Sequence, residues 1–407
     1  MILGVLFVGL IVTYGMRASF GAYISPWELE FSVSRTTITS ISMLNFFVFA
    51  FGQPLAGKLN DQFGKSTVPT VSMFIIGLSL LLTSFASQMW QVFLLFGVLF
   101  SMGVAGCSNS IPTVIISNWF TEKRGFALGL AMSGMAVGQL ILVPLNMFII
   151  DRLGWRTALA ALSIIIMVVV CPLYIFLLRY RPEEKGMKPY GYSGEENDNQ
   201  SDIVPQSPEK PLPIFGVVKL RVFWLIIISY FICGFTDVGL IQTHLIPMAQ
   251  GKSIPGSGVA VAISLIAIAN IAGTIVTGHL SDHFNRTRQL AAIYALRAAT
   301  YVFLIALRQP WLLLVFAVIY GAVEMASIAP TNSLAVQLFD KYSKGAVLGV
   351  VAVSHQVGGA IGSWVPGILY DLTGSYNLVL TISIVMLAGG ALMALMIREP
   401  GKITGSG

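Results

Sequence analysis

The chain has 407 residues, of which 56% are hydrophobic and 10% charged, with a formal net charge of +6 and a mean hydropathy of +0.80. Soluble domains carry roughly 25% charged residues, so a water-covered globular fold of this length is excluded, and so is a single-pass receptor with a large soluble domain. An outer-membrane barrel is excluded too, because its strands alternate apolar and polar residues and this sequence runs apolar without interruption.

Apolar runs separated by charged or Gly/Pro-containing turns predict twelve helices, at residues 2–24, 36–57, 67–87, 90–118, 125–149, 156–178, 220–247, 256–280, 289–306, 311–338, 345–369 and 377–397. Each is near the roughly 20 residues that a membrane span needs. The first run lacks a basic segment before it and a small-residue cleavage site after it, so it is expected to be a span rather than a signal peptide. Cys107, Cys171 and Cys233 all fall inside apolar runs, and their odd number argues against a disulfide framework; they are expected to pack as small apolar residues. Between the sixth and seventh helices, residues 179–218 are rich in Glu, Pro, Ser, Asn and Asp. Such a stretch buries too little apolar surface to order itself and divides the chain into bundles at 1–178 and 219–407. The last residues, Ile403 to Gly407, carry no expected function.

Basic residues are distributed unevenly across the loops: 17 of the 24 lie on the side of the 179–218 connector, 5 on the opposite side, and Arg17 and Arg297 lie inside spans. By the positive-inside rule the connector and both termini are expected to be cytoplasmic in a cell (plasma or inner) membrane, which requires an even number of spans.

The halves repeat. Gly57-Lys58-Leu59-Asn60-Asp61-Gln62-Phe63-Gly64-Lys65 recurs as Gly278-His279-Leu280-Ser281-Asp282-His283-Phe284-Asn285-Arg286, and Gly125, Gly129, Gly134 and Gly138 match Gly345, Gly349, Ser354 and Gly358. Asp151-Arg152-Leu153-Gly154 likewise matches Asp371-Leu372-Thr373-Gly374. The three offsets agree within one residue, so the expected architecture is an all-α membrane protein of twelve transmembrane helices in two six-helix pseudo-symmetric bundles. Parallel repeats of this kind place a substrate site between them near the bilayer midplane.

With these motifs the chain resembles the major facilitator superfamily over nearly its whole length, the loop from Gly57 to Lys65 being similar to the signature between that superfamily's second and third helices. Gly15 to Gly21, Trp119 to Ala127, Gly154-Trp155-Arg156 and Arg181 to Gly186 resemble the monocarboxylate transporter and oxalate/formate antiporter group. The resemblance implies the major facilitator fold, and alternating-access transport of small organic anions with a proton or in exchange for another anion. Arg17 matches a basic residue that monocarboxylate transporters keep on the first helix. The group's aspartate and arginine on the eighth helix fall instead on Asn270 and Thr274, and the eleventh-helix lysine of oxalate transporters is replaced by the neighbourhood of His355 and Gln356, so the particular anion does not carry over.

Ionisable groups within a span are costly and tend to face the bundle interior or a water-filled path. Arg17, with Tyr14 one turn before it, is a candidate to bind a substrate carboxylate through its fork of donors, the alternative being a structural pair with Asp237 or another acid. Arg297 and Glu324 are read as a buried salt bridge or, for Arg297, a substrate contact. His355, Asp237 and Glu324 are the candidate proton carriers, and His244 is placed near the outer end of its helix as an interfacial or gate residue. Asn109, Gln139, Asn270 and Gln356 complete the candidate substrate-binding set. Asp61, Lys65, Glu122, Arg124 and Asp282, at the connector-side ends, are expected to gate by pairing across the halves or at helix ends, or else to be solvated. No nucleotide loop, metal-ligand spacing or nucleophile elbow is present in the sequence, so an enzyme, a cofactor, a metal and nucleic acid are not expected. The expected partners are a small carboxylate, protons and lipid, with the monomer as working unit. Efflux of a lipophilic or cationic compound by proton exchange, and a non-transporting sensor, are the competing readings.

Overall fold

The computed structural model describes residues 1–63, 66–108, 110–182, 186–191 and 214–399. The side chains of Asp61 and Asp282, with Lys65, Asn109 and most of the 179–218 connector, lie outside the described residues. What is described is helical apart from turns and one isolated bridge between Phe120 and Tyr190. Ten helices are long and apolar enough to cross a membrane, and a bent pair at the start makes eleven. We label the spans α1 (Ile2–Ala18 and Phe20–Phe31), α2 (Arg35–Phe63), α3 (Thr67–Ser84), α4 (Met89–Trp119), α5 (Arg124–Leu153) and α6 (Trp155–Leu177) in the first half. The second half holds α7 (Arg221–Gly251), α8 (Gly256–His283), α9 (Arg286–Ile305), α10 (Pro310–Leu338), α11 (Lys344–Thr373) and α12 (Asn377–Met396). The twelfth of these by apolar content is α9, which is 20 residues long and carries Arg286, Arg288 and Arg297.

Several spans are not the uninterrupted helices expected. The first does not stop at residue 24: it bends by 43° at Ser19 and runs on to Phe31. The Ser19 hydroxyl bonds back to the Gly15 carbonyl at 2.7 Å, an arrangement that bends helices. In α7, residues Phe235–Ile241 form a wide π turn, and α10 breaks between Glu324 and Ile328. Both irregularities fall on residues that carry polar chemistry, which is where π bulges and broken spans concentrate.

Each half has its own apolar core. One is built from residues between Ile2 and Tyr180, the other from residues between Val217 and Ile397 joined by Ala22, Val143 and Met147 of the first half, with Ala18 and Ile150 packed against it. Helix pairings repeat between halves: α1 packs on α5 as α7 packs on α11, and α3 on α6 as α9 on α12. A side chain at Gly138 would strike the Ile11 carbonyl and the Gly15 amide, and one at Gly358 would strike the Phe231 carbonyl and the Phe235 amide. Those partners are all 220 residues apart, so the glycines hold the same backbone-to-backbone crossing in both repeats.

Across the halves α2 meets α11, α5 meets α8 and α1 meets α7. On the side away from the connector, called the far side, the α2–α11 seam is tight. Asp371 accepts from the amides of Arg35 at 3.2 Å and Thr36 at 2.8 Å and from the Thr36 hydroxyl at 2.5 Å. Arg35 also grips Glu28 with two bonds of 2.6 and 2.7 Å, donates to Tyr376 at 3.0 Å and stacks over the Tyr370 ring at 3.8 Å. Tyr376 lies 3.0 Å from His244 Nδ1, whose Nε2 lies 2.8 Å from the Ser363 carbonyl. His244 is thus fully buried inside the far-side closure, which does not fit the interfacial alternative and leaves the gate alternative. At the connector-side ends of α2, α5, α8 and α11, a side chain at Gly57, Gly125, Gly129, Gly278, Gly345 or Gly349 would meet nothing within 4 Å.

Candidate functional site

Two adjoining cavities lie between the halves. The first is a small space lined by Arg17 and Phe20 of α1, Ser42, Asn45 and Phe46 of α2, Phe96 of α4, and Val238, Gln242 and Thr243 of α7. The second, equally small, is lined by Ala18, Gln139, Val143, Gln242, Glu324 and aliphatic residues of α7 and α8. Gln242 lines both, so a cation at one chamber and a carboxyl group at the other are separated by a single amide side chain.

Arg17 sits just before the bend of α1. Its guanidinium lies 4.2 Å from the centre of the Phe49 ring and 4.6 Å from that of Phe46, and donates to Gln356 Oε1 at 3.2 Å across the halves. No described carboxylate lies within ion-pair distance of it, so the alternative pairing with Asp237 is not made. Aromatic faces and an amide stabilise a guanidinium without neutralising it, which leaves its charge available to an anion. Tyr14 is half-buried one turn earlier, and does not line either cavity.

Arg297 is held differently. It is fully buried, and its carboxylate partner is Asp237, at 3.9 Å, rather than Glu324 as expected. The reason lies in the break of α10. Ending a helix releases its last carbonyls, and Arg297 Nη2 donates to two of them, Val323 at 2.8 Å and Glu324. Its Nη1 donates to Cys233 Sγ at 3.0 Å, so Cys233 is a polar partner and not only an apolar filler. Asp237 is completed by the Tyr320 hydroxyl at 2.7 Å. Cys233, Asp237 and His355 bring one ligating atom each within 4.8 Å of one another, but the guanidinium already supplies the positive charge in this cluster.

Among the described residues, the Glu324 side chain accepts from two neutral donors, Asn270 Nδ2 at 2.7 Å and Gln242 Nε2 at 3.3 Å. Thr274 in turn donates to Asn270 Oδ1 at 3.2 Å. The two positions where the resemblance expects charges on the eighth helix therefore form the support of the α10 carboxyl group. His355 packs its ring 4.7 Å from that of Tyr230 and makes no hydrogen bond to a described residue.

The expected site residues therefore separate into groups. Arg17, Gln139, Gln356, Asn270 and Glu324 are gathered around the two chambers, while Asp237, Arg297 and His355 form a neighbouring cluster centred on α7. Glu122 and Arg124 stay on the connector side, where Arg124 donates to the Ser117 and Phe120 carbonyls at 2.7 and 3.2 Å and Glu122 lies against Tyr190; neither forms an ion pair with a described residue of the other half. Asn109, Lys65 and the side chains of Asp61 and Asp282 fall outside the described residues. Sequence reasoning overlooked Ser42, Asn45, Thr243 and the aromatic bed of Phe46 and Phe49. A polar pair at i and i+3 on one face of α2, Ser42 and Asn45, was the available signal.

The sequence profile of the Major Facilitator Superfamily matches residues 6–309 and 238–406, two overlapping matches that span nearly the whole chain. The chain belongs to the Major Facilitator Superfamily. Among curated proteins it is 25% identical to an uncharacterised MFS-type transporter, YcxA, of Bacillus subtilis, over 96% of this chain and 93% of that protein. It is 24% identical to monocarboxylate transporter 13 of Rattus norvegicus, over 93% of this chain and 84% of that one. Among solved structures it superposes on a D-xylose-proton symporter with a TM-score of 0.76 at 15% identity, covering 98% of both chains. A bacterial homologue of the lysosomal transporter Spinster gives 0.75 at 15% identity, over 97% of this chain and 95% of that one. The fold expected of this superfamily, two pseudo-symmetric six-helix bundles, is therefore the fold observed, and the chain is a multi-pass membrane transporter of that superfamily.

Proposed function

We propose that this transporter moves small monocarboxylates together with protons by alternating access. The observation that carries the reading is Arg17: a guanidinium facing a cavity between the halves, with no described carboxylate partner and a bed of aromatic rings. A planar fork of donors matches a carboxylate with two parallel bonds. The similarity to monocarboxylate transporters is consistent with this chemistry.

Glu324 is the better proton carrier in this arrangement, ahead of Asp237 and His355. Protonating Asp237 would strand the buried Arg297, whereas Glu324 gives up no ion pair when it takes a proton, since its donors are neutral amides. Gln242 links the two events, because it donates to Glu324 and borders the Arg17 chamber. The bundles 1–178 and 219–407 are the rocking bodies, with 179–218 as their tether. The excess of basic residues on the tether side makes that side cytoplasmic.

Uptake of a panel of labelled monocarboxylates into proteoliposomes, with and without a pH gradient, tests the proposal. Saturable carboxylate flux that the gradient accelerates and Arg17→Ala abolishes is the expected result. Carboxylate-independent behaviour, or full flux in a folded Arg17→Ala variant, overturns it.

A further inference from the structure

The far side of the molecule is sealed along one seam and not along its symmetric counterpart. At the α2–α11 seam, Asp371 near the end of α11 lies over the first turn of α2, taking two backbone amides and the Thr36 hydroxyl. The first amides of a helix have no partner within it and carry partial positive charge, so a carboxylate from another helix can latch there.

The repeat supplies the same parts at the other seam. Asp151 is 220 residues before Asp371 and stands near the end of α5, and each aspartate is followed three residues later by a glycine with positive φ, Gly154 at 84° and Gly374 at 67°. Arg35 and Thr36, which open α2, correspond at an offset of 221 to Gly256 and Ser257, which open α8. A hydroxyl is thus available in the place of Thr36. Yet Asp151, Gly256 and Ser257 are exposed, and the Asp151 carboxylate makes no hydrogen bond or ion pair to a described residue. All three line one far-side vestibule of about 1150 Å³.

We propose that Asp151 is a gating residue of the transport cycle: its carboxylate latches onto the α8 N terminus at Gly256 and Ser257 when the vestibule closes, as Asp371 latches onto α2. The far side then closes in two steps, with the α2–α11 latch already made and the α5–α8 latch still open in the state described here. This inference does not depend on the identity of the substrate.

Cysteine pairs read the two latches separately. The native cysteines are buried, so Met147→Cys with Ala260→Cys, on the same vestibule wall about one turn from the latch, can be tested with Asp151 and Ser257 intact in reconstituted protein with a short bifunctional thiol reagent. The pair is expected to cross-link, and its yield to fall about threefold when the first latch is broken by Asp371→Asn, because both contacts belong to one closure. As a second readout, Met147→Cys on the vestibule wall is expected to label about threefold faster with a membrane-impermeant maleimide in Asp151→Asn and in Ser257→Ala, and at the original rate in Asp151→Glu. No cross-link, a yield indifferent to Asp371→Asn, or labelling unchanged in Asp151→Asn and Ser257→Ala would overturn the proposal. Ser257→Ala serves as the independent variant if Asp151→Asn does not fold.

Discussion

Arg17 of α1 and Asp237 of α7 stand at equivalent positions in the two halves, 220 residues apart, in the same register as the crossings of Gly138 and Gly358. Pseudo-symmetry thus places opposite charges at matching depths, and the halves treat them differently. The second half contributes its own Arg297 and Tyr320 to satisfy Asp237. The first half offers Arg17 the aromatic faces of Phe46 and Phe49 and no described carboxylate, with Gln356 reaching over from the second half.

If Arg17 grips a carboxylate with two bonds, keeping the charge without the fork is not enough. Arg17→Lys is expected to raise the KM for the transported carboxylate at least tenfold, and Arg17→Ala to remove saturable uptake, with thermal unfolding little changed in both. Initial-rate measurements in proteoliposomes, beside a melting curve in detergent, check this.

Arg297 should show the opposite pattern. Its loss strands Asp237 and the last carbonyls of the first α10 segment, and breaking a buried pair costs about 3 to 5 kcal/mol. Arg297→Ala is therefore expected to lower the melting temperature sharply. Combining Arg297→Gln with Asp237→Asn should recover part of that loss, because neither charge is then left alone. A stable Arg297→Ala variant with impaired substrate affinity would instead move Arg297 into the binding site.

Glu324→Gln separates coupling from movement. A glutamine keeps hydrogen-bonding capacity toward Asn270 and Gln242 but carries no exchangeable carboxyl proton. The expected outcome is loss of acceleration by a pH gradient with exchange of labelled for unlabelled carboxylate preserved. If gradient-driven uptake survives while exchange is lost, the proton is carried elsewhere, and His355→Gln is the next variant to assay.

The paired glycines make a prediction about packing. A methyl group at Gly138 or at Gly358 would press on a main-chain carbonyl of the neighbouring helix. Gly138→Ala and Gly358→Ala are each expected to destabilise by about 1 to 3 kcal/mol, the usual range for overpacking. Gly125→Ala and Gly345→Ala, which face open space, should leave melting unchanged.

Class, number of spans and twofold repeat were legible in the sequence, because each is written in local composition and period. An apolar run long enough to cross a bilayer is nearly obliged to be helical there, since backbone groups in lipid must bond within their own segment. The short list of charges deep in the spans was legible for the same reason: each is costly in lipid and so stands out. Their partners were not. Arg297 faced two acids of similar depth, Asp237 and Glu324, and the choice turned on a break in α10 that releases carbonyls for the guanidinium to take. The bend at Ser19, the aromatic bed under Arg17, and the latch made by Asp371 but not by Asp151 likewise join residues from different helices. Only the tertiary structure decided these, because hydrogen-bond partners in a helical bundle depend on how helices rotate and approach one another, and no single segment carries that information.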